Sequence, residues 1–181
     1  MGAREKRRIR KSYDNLGGRL YDERYLSEQA VKYDVILRLA IPMIDDLILD
    51  DGCGTGLLLE RLQGYSIGID FSSILLSTAH SRLKNRVRTH LIQADADHLP
   101  FRGHIFEKVF AVTLIQNTPE PELAFSEIRR VAKVGSEVVV TALKKSFTIQ
   151  GFRQLLNASG CTLKSLLEAE ELKDWMAFIT L

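Results

Sequence analysis

Residues 47–56 read Leu-Ile-Leu-Asp-Asp-Gly-Cys-Gly-Thr-Gly, an apolar run followed by two acids and three alternating glycines. The apolar run predicts a buried strand, and the glycines after it predict a tight loop. Gly52, Gly54 and Gly56 lack a Cβ, so the backbone there can adopt positive φ and bring N–H groups close to a ligand. The three leucines at 57–59 are expected to open a helix directly after this loop. The stretch therefore predicts a strand, a ligand-binding loop and a helix.

The two acids restrict the ligand that such a loop can bind. A carboxylate at the mouth of the loop would repel a pyrophosphate but would attract a positively charged cofactor. A dinucleotide fingerprint needs Gly-x-Gly-x-x-Gly, and counting from Gly52 places Leu57 at the third glycine. The sequence also contains no Gly-Lys-Ser/Thr phosphate loop. The pattern thus favours a cationic ligand over a dinucleotide or a nucleoside triphosphate.

The pattern Asp50-x-Gly52-x-Gly54-x-Gly56 after a hydrophobic strand resembles the first motif of the class I S-adenosylmethionine-dependent methyltransferases. The resemblance runs from about Asp46 to the C-terminus. It implies S-adenosylmethionine as the cofactor, with the acid and the glycine loop holding its methionine end.

Two further segments resemble the same family. Residues 67–72, Ile-Gly-Ile-Asp-Phe-Ser, place Asp70 after a second strand, where the family has an acid that holds the ribose hydroxyls. Residues 93–101, Gln-Ala-Asp-Ala-Asp-His-Leu-Pro-Phe, are similar to the segment whose acid, here Asp95, receives the adenine amino group. The cofactor contacts that the resemblance implies are Asp50, Gly52, Cys53, Gly54, Gly56, Asp70, Phe71, Asp95, Ala96 and Thr113.

Each of these features also has an explanation that needs no ligand. The glycine loop could be only a tight turn, and Asp70 could be only the N-cap of a helix that begins near Ser72. Asp95 and Asp97 could be surface acids in a loop. Their order along the chain favours the cofactor, because acids placed just after successive parallel strands meet at the sheet edge where open α/β folds bind ligands.

Asp51 departs from the family pattern, which usually has an apolar residue at this position. Because neighbouring strand residues face opposite ways, we expect Asp51 to face away from the cofactor if Asp50 faces it. Burying an unpaired carboxylate is costly. Three possibilities follow: the strand has already ended there, Asp51 has a basic partner, or Asp51 shares the ammonium group of the cofactor.

The acceptor side is predicted at the end of the fourth strand, in residues 113–119, Thr-Leu-Ile-Gln-Asn-Thr-Pro. This segment contains neither the Asn/Asp-Pro-Pro-aromatic run of methyltransferases that act on base amino groups nor the cysteine of the RNA cytosine C5 enzymes. Gln116 and Asn117 could orient an acceptor through amide hydrogen bonds, or they could only start a helix that Pro119 opens. We assign no catalytic base.

A second group of acceptor-side candidates consists of tyrosines near the N-terminus. Tyr13, Tyr21 and Tyr25 could form part of a lid over the cofactor, with Tyr21 as the acceptor-side candidate, or they could pack in the core. Lys144 and Lys145 follow the fifth strand and could add positive charge near the site, or they could be solvated loop residues.

Composition limits the class of protein. With 181 residues and 45% hydrophobic content, the chain suits one globular domain. No apolar run is long enough to cross a bilayer, and no apolar segment follows the basic N-terminus, so we expect a cytoplasmic protein without a membrane partner. The 2 cysteines and the 4 scattered histidines predict neither a disulfide framework nor a metal site.

The order of predicted elements indicates a single Rossmann-like methyltransferase domain. Residues 1–45 are interpreted as a basic arm with lid or cap helices, including a helix at 27–40, and residues 46–181 as the cofactor-binding core. Strands and helices alternate, which predicts a mostly parallel sheet with helices on both faces. Strands at 161–167 and 175–179 have no helix between them. They should pair as a hairpin, giving an α/β fold whose seven-stranded sheet has an antiparallel last strand.

The first eleven residues carry most of the charge asymmetry of the chain, although the net charge is only +2. We favour a solvated, disordered tail, and the alternative is an arm that contacts phosphate groups. The basic residues concerned are Arg4, Lys6, Arg7, Arg8, Arg10 and Lys11.

Three functions remain at this stage. The leading prediction is an S-adenosylmethionine-dependent methyltransferase that transfers methyl in line to an unidentified acceptor, with a small molecule favoured. The first alternative is a tRNA or rRNA methyltransferase that uses the basic arm. The second alternative is a regulatory protein that binds the cofactor without catalysis.

Overall fold

The computed structural model describes residues 2–170 and 172–181. Its α-helices are α1 (Gly2–Leu39), α2 (Ser73–Leu83), α3 (Pro121–Val131) and α4 (Ile149–Ala158). Its strands are β1 (Leu47–Asp51), β2 (Tyr65–Asp70), β3 (Thr89–Gln93), β4 (Phe106–Ala111), β5 (Ala132–Leu143), β6 (Thr162–Leu167) and β7 (Asp174–Thr180). Two short 3₁₀ turns lie at Leu59–Arg61 and Ile115–Asn117.

The strands form one seven-stranded sheet in the order β3-β2-β1-β4-β5-β7-β6. All neighbouring pairs from β3 to β5 are parallel, whereas β7 is antiparallel to both β5 and β6. The predicted α/β fold with a mostly parallel sheet and a C-terminal hairpin is therefore confirmed. The strand order reverses between β1 and β4, which places a crevice at the carboxyl ends of these strands.

Helices cover both faces of the sheet because successive strand residues point to opposite sides. On β4, Val109 packs in a cluster with Phe125 of α3, while Phe110 packs in a second cluster with Ile36 of α1. All four side chains are buried. Full burial of each of these side chains contributes about 1.5–3 kcal/mol. The two clusters therefore fix α3 and α1 to opposite faces of the sheet.

The helix predicted directly after the glycine loop is absent from the described chain, and a 3₁₀ turn at Leu59–Arg61 takes its place. Leu57, Leu58 and Leu59 are all buried. An α-helix places consecutive side chains about 100° apart, so no single buried face of a helix could hold all three. The apolar run is accommodated by a tighter turn instead.

The prediction of a disordered N-terminal tail is wrong. Residues 2–39 form α1, which is interrupted only at Gly17, where φ is 69° and ψ is 161°. The predicted helix at 27–40 is the last part of this element. Charges in the first turns pair at helical spacing, Arg8 with Glu5 and Arg10 with Asp14, and such pairs stabilise a helix.

Candidate cofactor and acceptor site

A cavity of about 600 Å³ lies at the carboxyl ends of the central strands, and α1 closes one side of it. Most of the predicted site residues line this cavity. On the cofactor side these are Gly52, Gly54, Asp70, Phe71, Asp95, Ala96 and Thr113, and on the acceptor side Gln116, Asn117 and Tyr21.

Three of the predicted cofactor contacts are not on the cavity lining. Gly56 packs against α2, where an added Cβ would lie 3.2 Å from the Cβ of Ala79. Cys53 packs against Gly68, where an added Cβ would lie 2.9 Å from the thiol sulfur. Asp50 lies on the same side of β1 as Ile48, which belongs to the cluster beneath α1. These three residues therefore lie outside the cavity lining and support the glycine loop through their packing.

The glycine loop has the conformation that its composition predicts. Gly52, Gly54 and Gly56 have φ values of 81°, 54° and 79°, which only glycine adopts without strain. The Gly52 N–H donates to the Ile69 carbonyl at 2.9 Å, which fastens the loop to the end of β2. A Cβ on Gly54 would project to 3.5 Å from the Tyr21 hydroxyl. The absence of that side chain keeps this part of the cavity open.

Asp70 is the second acid at this edge, and its carboxylate is held by backbone groups. One oxygen accepts from the Gly54 N–H at 3.0 Å and the other accepts from the Ser72 N–H at 2.8 Å. Ser72, not Asp70, caps α2, because its hydroxyl accepts from the Leu75 N–H. Burial raises the pKa of Asp70 to about 6, although these N–H groups oppose the shift.

Asp51 reverses the expected arrangement, because it lines the cavity and Asp50 does not. It is still part of β1, opposite Ile69, so the strand has not ended there. Its side chain is 0% exposed, and neither carboxylate oxygen has a hydrogen-bond partner within residues 2–170 and 172–181. Burial raises the pKa of Asp51 well above its usual range, and burial raises that of Asp50 to about 8. Two of the three possibilities for Asp51, an ended strand and a basic partner, are thereby excluded.

Asp95 and Asp97 form the third acidic position, and a lysine from α1 lies between them. The Lys6 Nζ donates to the two oxygens of Asp95 at 2.6 and 2.7 Å, and lies 2.5 Å from an oxygen of Asp97. The Asp97 N–H also donates to Asp95 at 3.0 Å. Sequence analysis missed this lysine, because no local pattern links residues that lie 89 positions apart.

β4 ends at Ala111, two residues before the predicted acceptor segment 113–119. Thr113 has a φ of 59°, which is unfavourable for a β-branched residue. Hydrogen bonds hold it there: its N–H donates to the Thr141 hydroxyl at 2.8 Å, and its hydroxyl donates to Asp174 at 3.1 Å. The side-chain amides of Gln116 and Asn117 both donate to the Thr113 carbonyl. These amides therefore stabilise a strained turn at the cavity.

The helix after this turn begins at Pro121 and not at Pro119 as predicted. Residues 115–117 form a 3₁₀ turn before it. Pro121 occupies the first turn of α3, a position that proline favours because the N–H it lacks would have no helical partner.

A buried ion pair lies beneath the acceptor side. The Lys32 Nζ lies 2.6 Å from Asp174 and donates to the Thr113 hydroxyl at 2.9 Å. The side chains of Lys32 and Asp174 are 1% and 0% exposed. Sequence analysis missed this pair, which joins α1 to β7 across 142 positions of the chain.

The three tyrosines of α1 line the cavity, as a lid would. The ring centroids of Tyr21 and Tyr25 are 4.9 Å apart, and Tyr13 packs edge-on against Phe71 at 6.4 Å. Burial raises the pKa of Tyr21 far above neutrality. Its hydroxyl therefore stays protonated and cannot act as a general base at neutral pH.

Three lysines line the cavity on the side of β5 and β7, away from the acids of β1, β2 and the segment after β3. Lys144 donates to the Ala169 carbonyl at 2.6 Å and lies over the Trp175 ring, and Lys173 pairs with Glu28 at 2.7 Å. Lys145 makes no ion pair or side-chain hydrogen bond within the part of the chain that the structure describes. The same part contains no cluster of three potential metal ligands and no helix long and apolar enough to span a membrane.

Comparison with known proteins identifies the family. The family model for the methyltransferase domain matches residues 49–140. A malonyl-[acyl-carrier protein] O-methyltransferase of Marinomonas sp. (strain MWYL1) is 33% identical over 145 residues, covering 77% of this chain and 53% of the relative. A phosphatidylethanolamine N-methyltransferase of Cereibacter sphaeroides is 37% identical over 99 residues, covering 51% of this chain and 48% of the relative. The chain spans about half the length of these curated relatives.

Solved structures share the fold. A chain in the complex of the Haloferax volcanii Trm112 methyltransferase activator superposes with a TM-score of 0.80 at 14% identity, covering 95% of this chain and 96% of that one. The geranyl diphosphate C-methyltransferase of Streptomyces coelicolor A3(2), solved with S-adenosyl-L-homocysteine, superposes with a TM-score of 0.72 at 11% identity, covering 83% and 78%. The family model matches half of this chain, and the chain has the fold of solved methyltransferases. The chain therefore belongs to the class I S-adenosylmethionine-dependent methyltransferases.

Proposed function

We propose that this chain binds S-adenosylmethionine and transfers its methyl group to a small acidic molecule. The observation that carries the proposal is that acids beside the glycine loop line the cavity on the side of β1, β2 and β3, whereas Lys144, Lys145 and Lys173 line it on the side of β5 and β7. The names of the two curated relatives support a small acceptor, since one relative methylates malonyl-[acyl-carrier protein] and the other phosphatidylethanolamine.

The residues of the acidic end fit the cofactor in charge and in space. The ammonium and sulfonium groups of S-adenosylmethionine are positive, and Asp51 has a buried carboxylate without a partner among the described residues. Because an isolated buried carboxylate is costly, a cationic ligand at this place would stabilise its ionised form. Gly54 has no side chain, so it leaves room for a ligand in the cavity beside Tyr21.

Each acid would bind a different part of the cofactor. We assign the ammonium group to Asp51, the ribose hydroxyls to Asp70 and the adenine amino group to Asp95. Asp50 would act indirectly, since it lies outside the cavity lining and behind the loop. Hydrogen bonds to charged groups contribute about 1.5–3 kcal/mol each.

The bound cofactor supplies a methyl group on a positively charged sulfur, ready for in-line displacement. The chain then has to hold the acceptor in line and keep water out, and positioning of this kind lowers the barrier by several kcal/mol. Tyr13, Tyr21 and Tyr25 enclose the site for this purpose. The strained turn at Thr113, held by Gln116 and Asn117, sets the shape of the wall beside the acceptor.

The titratable groups at the acceptor end favour a nucleophile that needs no deprotonation. The Tyr21 hydroxyl is fixed in its protonated form. Burial opposes ionisation of Glu28, but hydrogen bonds from Lys173 and Lys32 lower its pKa, so it stays an engaged carboxylate. An acceptor carboxylate is already ionised at neutral pH and would be attracted by Lys144 and Lys145. We therefore favour an acidic acceptor.

The described structure provides less support for the RNA alternative. Lys6 lies between Asp95 and Asp97, and two further basic residues of the arm pair with acids of the same helix. Lys6 is thus engaged within the protein, and Glu5 and Asp14 offset part of the positive charge of Arg8 and Arg10. The remaining basic side chains of the arm are Arg4, Arg7 and Lys11.

The test is transfer of radiolabelled methyl from S-adenosylmethionine into separated RNA, protein and metabolite pools. We expect label in the metabolite pool, released as volatile methanol by mild alkali if the product is a methyl ester. The variant Asp70→Asn, matched in size to the wild type, should transfer at least about tenfold less label at subsaturating cofactor. Label confined to RNA would support the alternative. Cofactor binding without transfer into any pool would indicate a regulatory protein.

A further inference from the structure

The first half of α1 places a positive charge on the acid that we assign to adenine. The Lys6 Nζ lies within 2.7 Å of both Asp95 oxygens and 2.5 Å from Asp97, and its side chain is 19% exposed. Burial alone would lower the pKa of Lys6, but hydrogen bonds with Asp95 and Asp97 raise it. The ammonium group is therefore charged at neutral pH.

The acceptor capacity of Asp95 is largely used within the protein. One oxygen accepts from Lys6 and from the Asp97 N–H, and the other accepts from Lys6. An adenine amino group is also a donor and would need the same oxygen lone pairs. An adenine amino group beside the charged Lys6 ammonium group would therefore form only a weak hydrogen bond with the Asp95 carboxylate.

We propose that Lys6 is an internal competitor of the cofactor, whose ammonium group must leave Asp95 before the adenine amino group can bind there. The inference rests on the proposed function, since it assumes that this cavity binds an adenosine. It adds a means by which the N-terminal helix lowers the affinity for the cofactor.

The backbone of α1 allows such a movement. Gly17 interrupts the helix with a non-helical conformation, and nothing lies within 4 Å of the place where its Cβ would be. A few residues that absorb a change in φ and ψ are the usual form of a hinge. Residues 2–16 can therefore turn about Gly17 without a clash at the break itself.

The two halves of α1 are also attached differently. Before Gly17, the contacts with the cavity rim are made by Lys6, by Asp14, which accepts from the Ser72 hydroxyl at 2.5 Å, and by Tyr13, which packs edge-on against Phe71. After Gly17, Lys32 is buried in its pair with Asp174, and Ile36 is fully buried in the core. Loss of the Lys6 contacts would thus loosen the first half, which keeps fewer buried contacts, and leave the second half in place.

The test is calorimetric titration of the full chain with S-adenosylhomocysteine, comparing wild type with Lys6→Met and Lys11→Met. Methionine keeps the length of the stem and removes the charge, and Lys11 is an exposed lysine of the same half-helix. We expect Lys6→Met to bind roughly tenfold more tightly, as loss of a charge-assisted competitor predicts, and Lys11→Met to bind like wild type. Equal or weaker binding by Lys6→Met would overturn the inference. Absence of binding by all three proteins would instead refute the proposed function.

Hydrogen exchange of residues 2–16 gives a second measurement that does not depend on the affinity for the ligand. In the wild type, addition of S-adenosylhomocysteine should speed exchange in this segment, because Lys6 loses its partners. The free Lys6→Met protein should already exchange faster than the free wild type. Slower exchange of the segment on ligand binding would show that Lys6 closes over the cofactor, which contradicts competition.

Discussion

The two ends of the cavity use charge in different ways. At the cofactor end, the Asp51 carboxylate has no hydrogen-bond partner among the described residues. The Asp70 carboxylate accepts hydrogen bonds from the backbone N–H groups of Gly54 and Ser72. At the acceptor end, Lys32 pairs with one oxygen of Asp174 in the core, and both groups bind the Thr113 hydroxyl and hold it in a strained turn. Asp51 and Asp70 thus have no charged partner among the described residues, whereas Lys32 and Asp174 use their charges to hold a turn of the protein itself. Substitutions at the two ends should therefore affect different properties.

The largest effect is expected from Lys32→Met, which removes one partner of the buried pair. Asp174 would be left charged and buried, and such losses typically cost about 3–5 kcal/mol of unfolding free energy. Urea denaturation of the free protein would measure it. The double variant Lys32→Met/Asp174→Asn should recover part of the loss. A single-variant effect below about 1 kcal/mol, the size for a surface pair, would contradict the distinction between the two ends.

The next largest effect concerns Asp51→Asn and depends on the ligand. Binding of S-adenosylhomocysteine, which carries the ammonium group, should weaken about 10- to 100-fold. Binding of methylthioadenosine, which lacks that group, should stay as in the wild type. Calorimetry with the two ligands measures the difference. Equal losses for both ligands would mean that Asp51 shapes the cavity and does not bind a charge.

The buried acids also predict a pH dependence of stability. The pKa values of Asp70 and Asp50 are raised in the folded protein, to about 6 and about 8. A raised carboxyl pKa stabilises the fold at low pH, and this contribution is lost as pH rises through the folded value. The free protein should lose roughly 5 kcal/mol between pH 5 and pH 9, about 1.4 kcal/mol for each pKa unit between pH 5 and the two folded values, as measured by denaturation.

Cofactor binding should have the opposite pH dependence, because a cationic ligand favours ionised acids. The affinity for S-adenosylhomocysteine should therefore rise over the same interval while its ammonium group stays charged. Stability and affinity that both rise with pH would show that these acids are ionised in the free protein. That result would remove the difference between the two ends.

The smallest effect is expected from Lys145→Met at the acceptor end. Lys145 has no internal partner within the described residues, so its loss should leave stability unchanged and raise the KM for an acidic acceptor about three- to tenfold. The value of kcat should change little. Lys84→Met, an exposed lysine at the end of α2, is the matched control. A fall in kcat without a change in KM would contradict a role in attracting the acceptor.

The placement of the glycine loop, Asp70 and Asp95 at one edge of the sheet was predictable from sequence because each depends on local pattern. The glycine loop follows β1, Asp70 ends β2 and Asp95 comes two residues after β3, and a parallel fold brings such positions together. Alternation along β1 predicted that Asp50 and Asp51 face opposite ways, but it could not say which face opens into the cavity. The 3₁₀ turn at Leu59–Arg61 was not predicted, because helix propensity does not indicate that all three leucines at 57–59 are buried in the core.

The remaining features depend on pairs far apart in the chain. Lys6 contacts Asp95 across 89 positions of the chain, and Lys32 contacts Asp174 across 142 positions. The strained backbone of Thr113 was not predicted, because a β-branched side chain favours extended backbone. Its conformation depends on hydrogen bonds that Thr113 donates to Thr141 and Asp174, which no local pattern encodes.

The pair between α1 and β7 has a consequence for biosynthesis. Because Lys32 is made early and Asp174 late, a ribosome-bound chain that has not yet reached β7 has only Glu28, among the described residues, as a counter-charge for this ammonium group. The Thr113 hydroxyl also lacks its hydrogen bond to Asp174 until then. The glycine loop makes no hydrogen bond with β7 within the described chain, whereas the turn at Thr113 gains its full set of hydrogen bonds only when the C-terminal hairpin is in place.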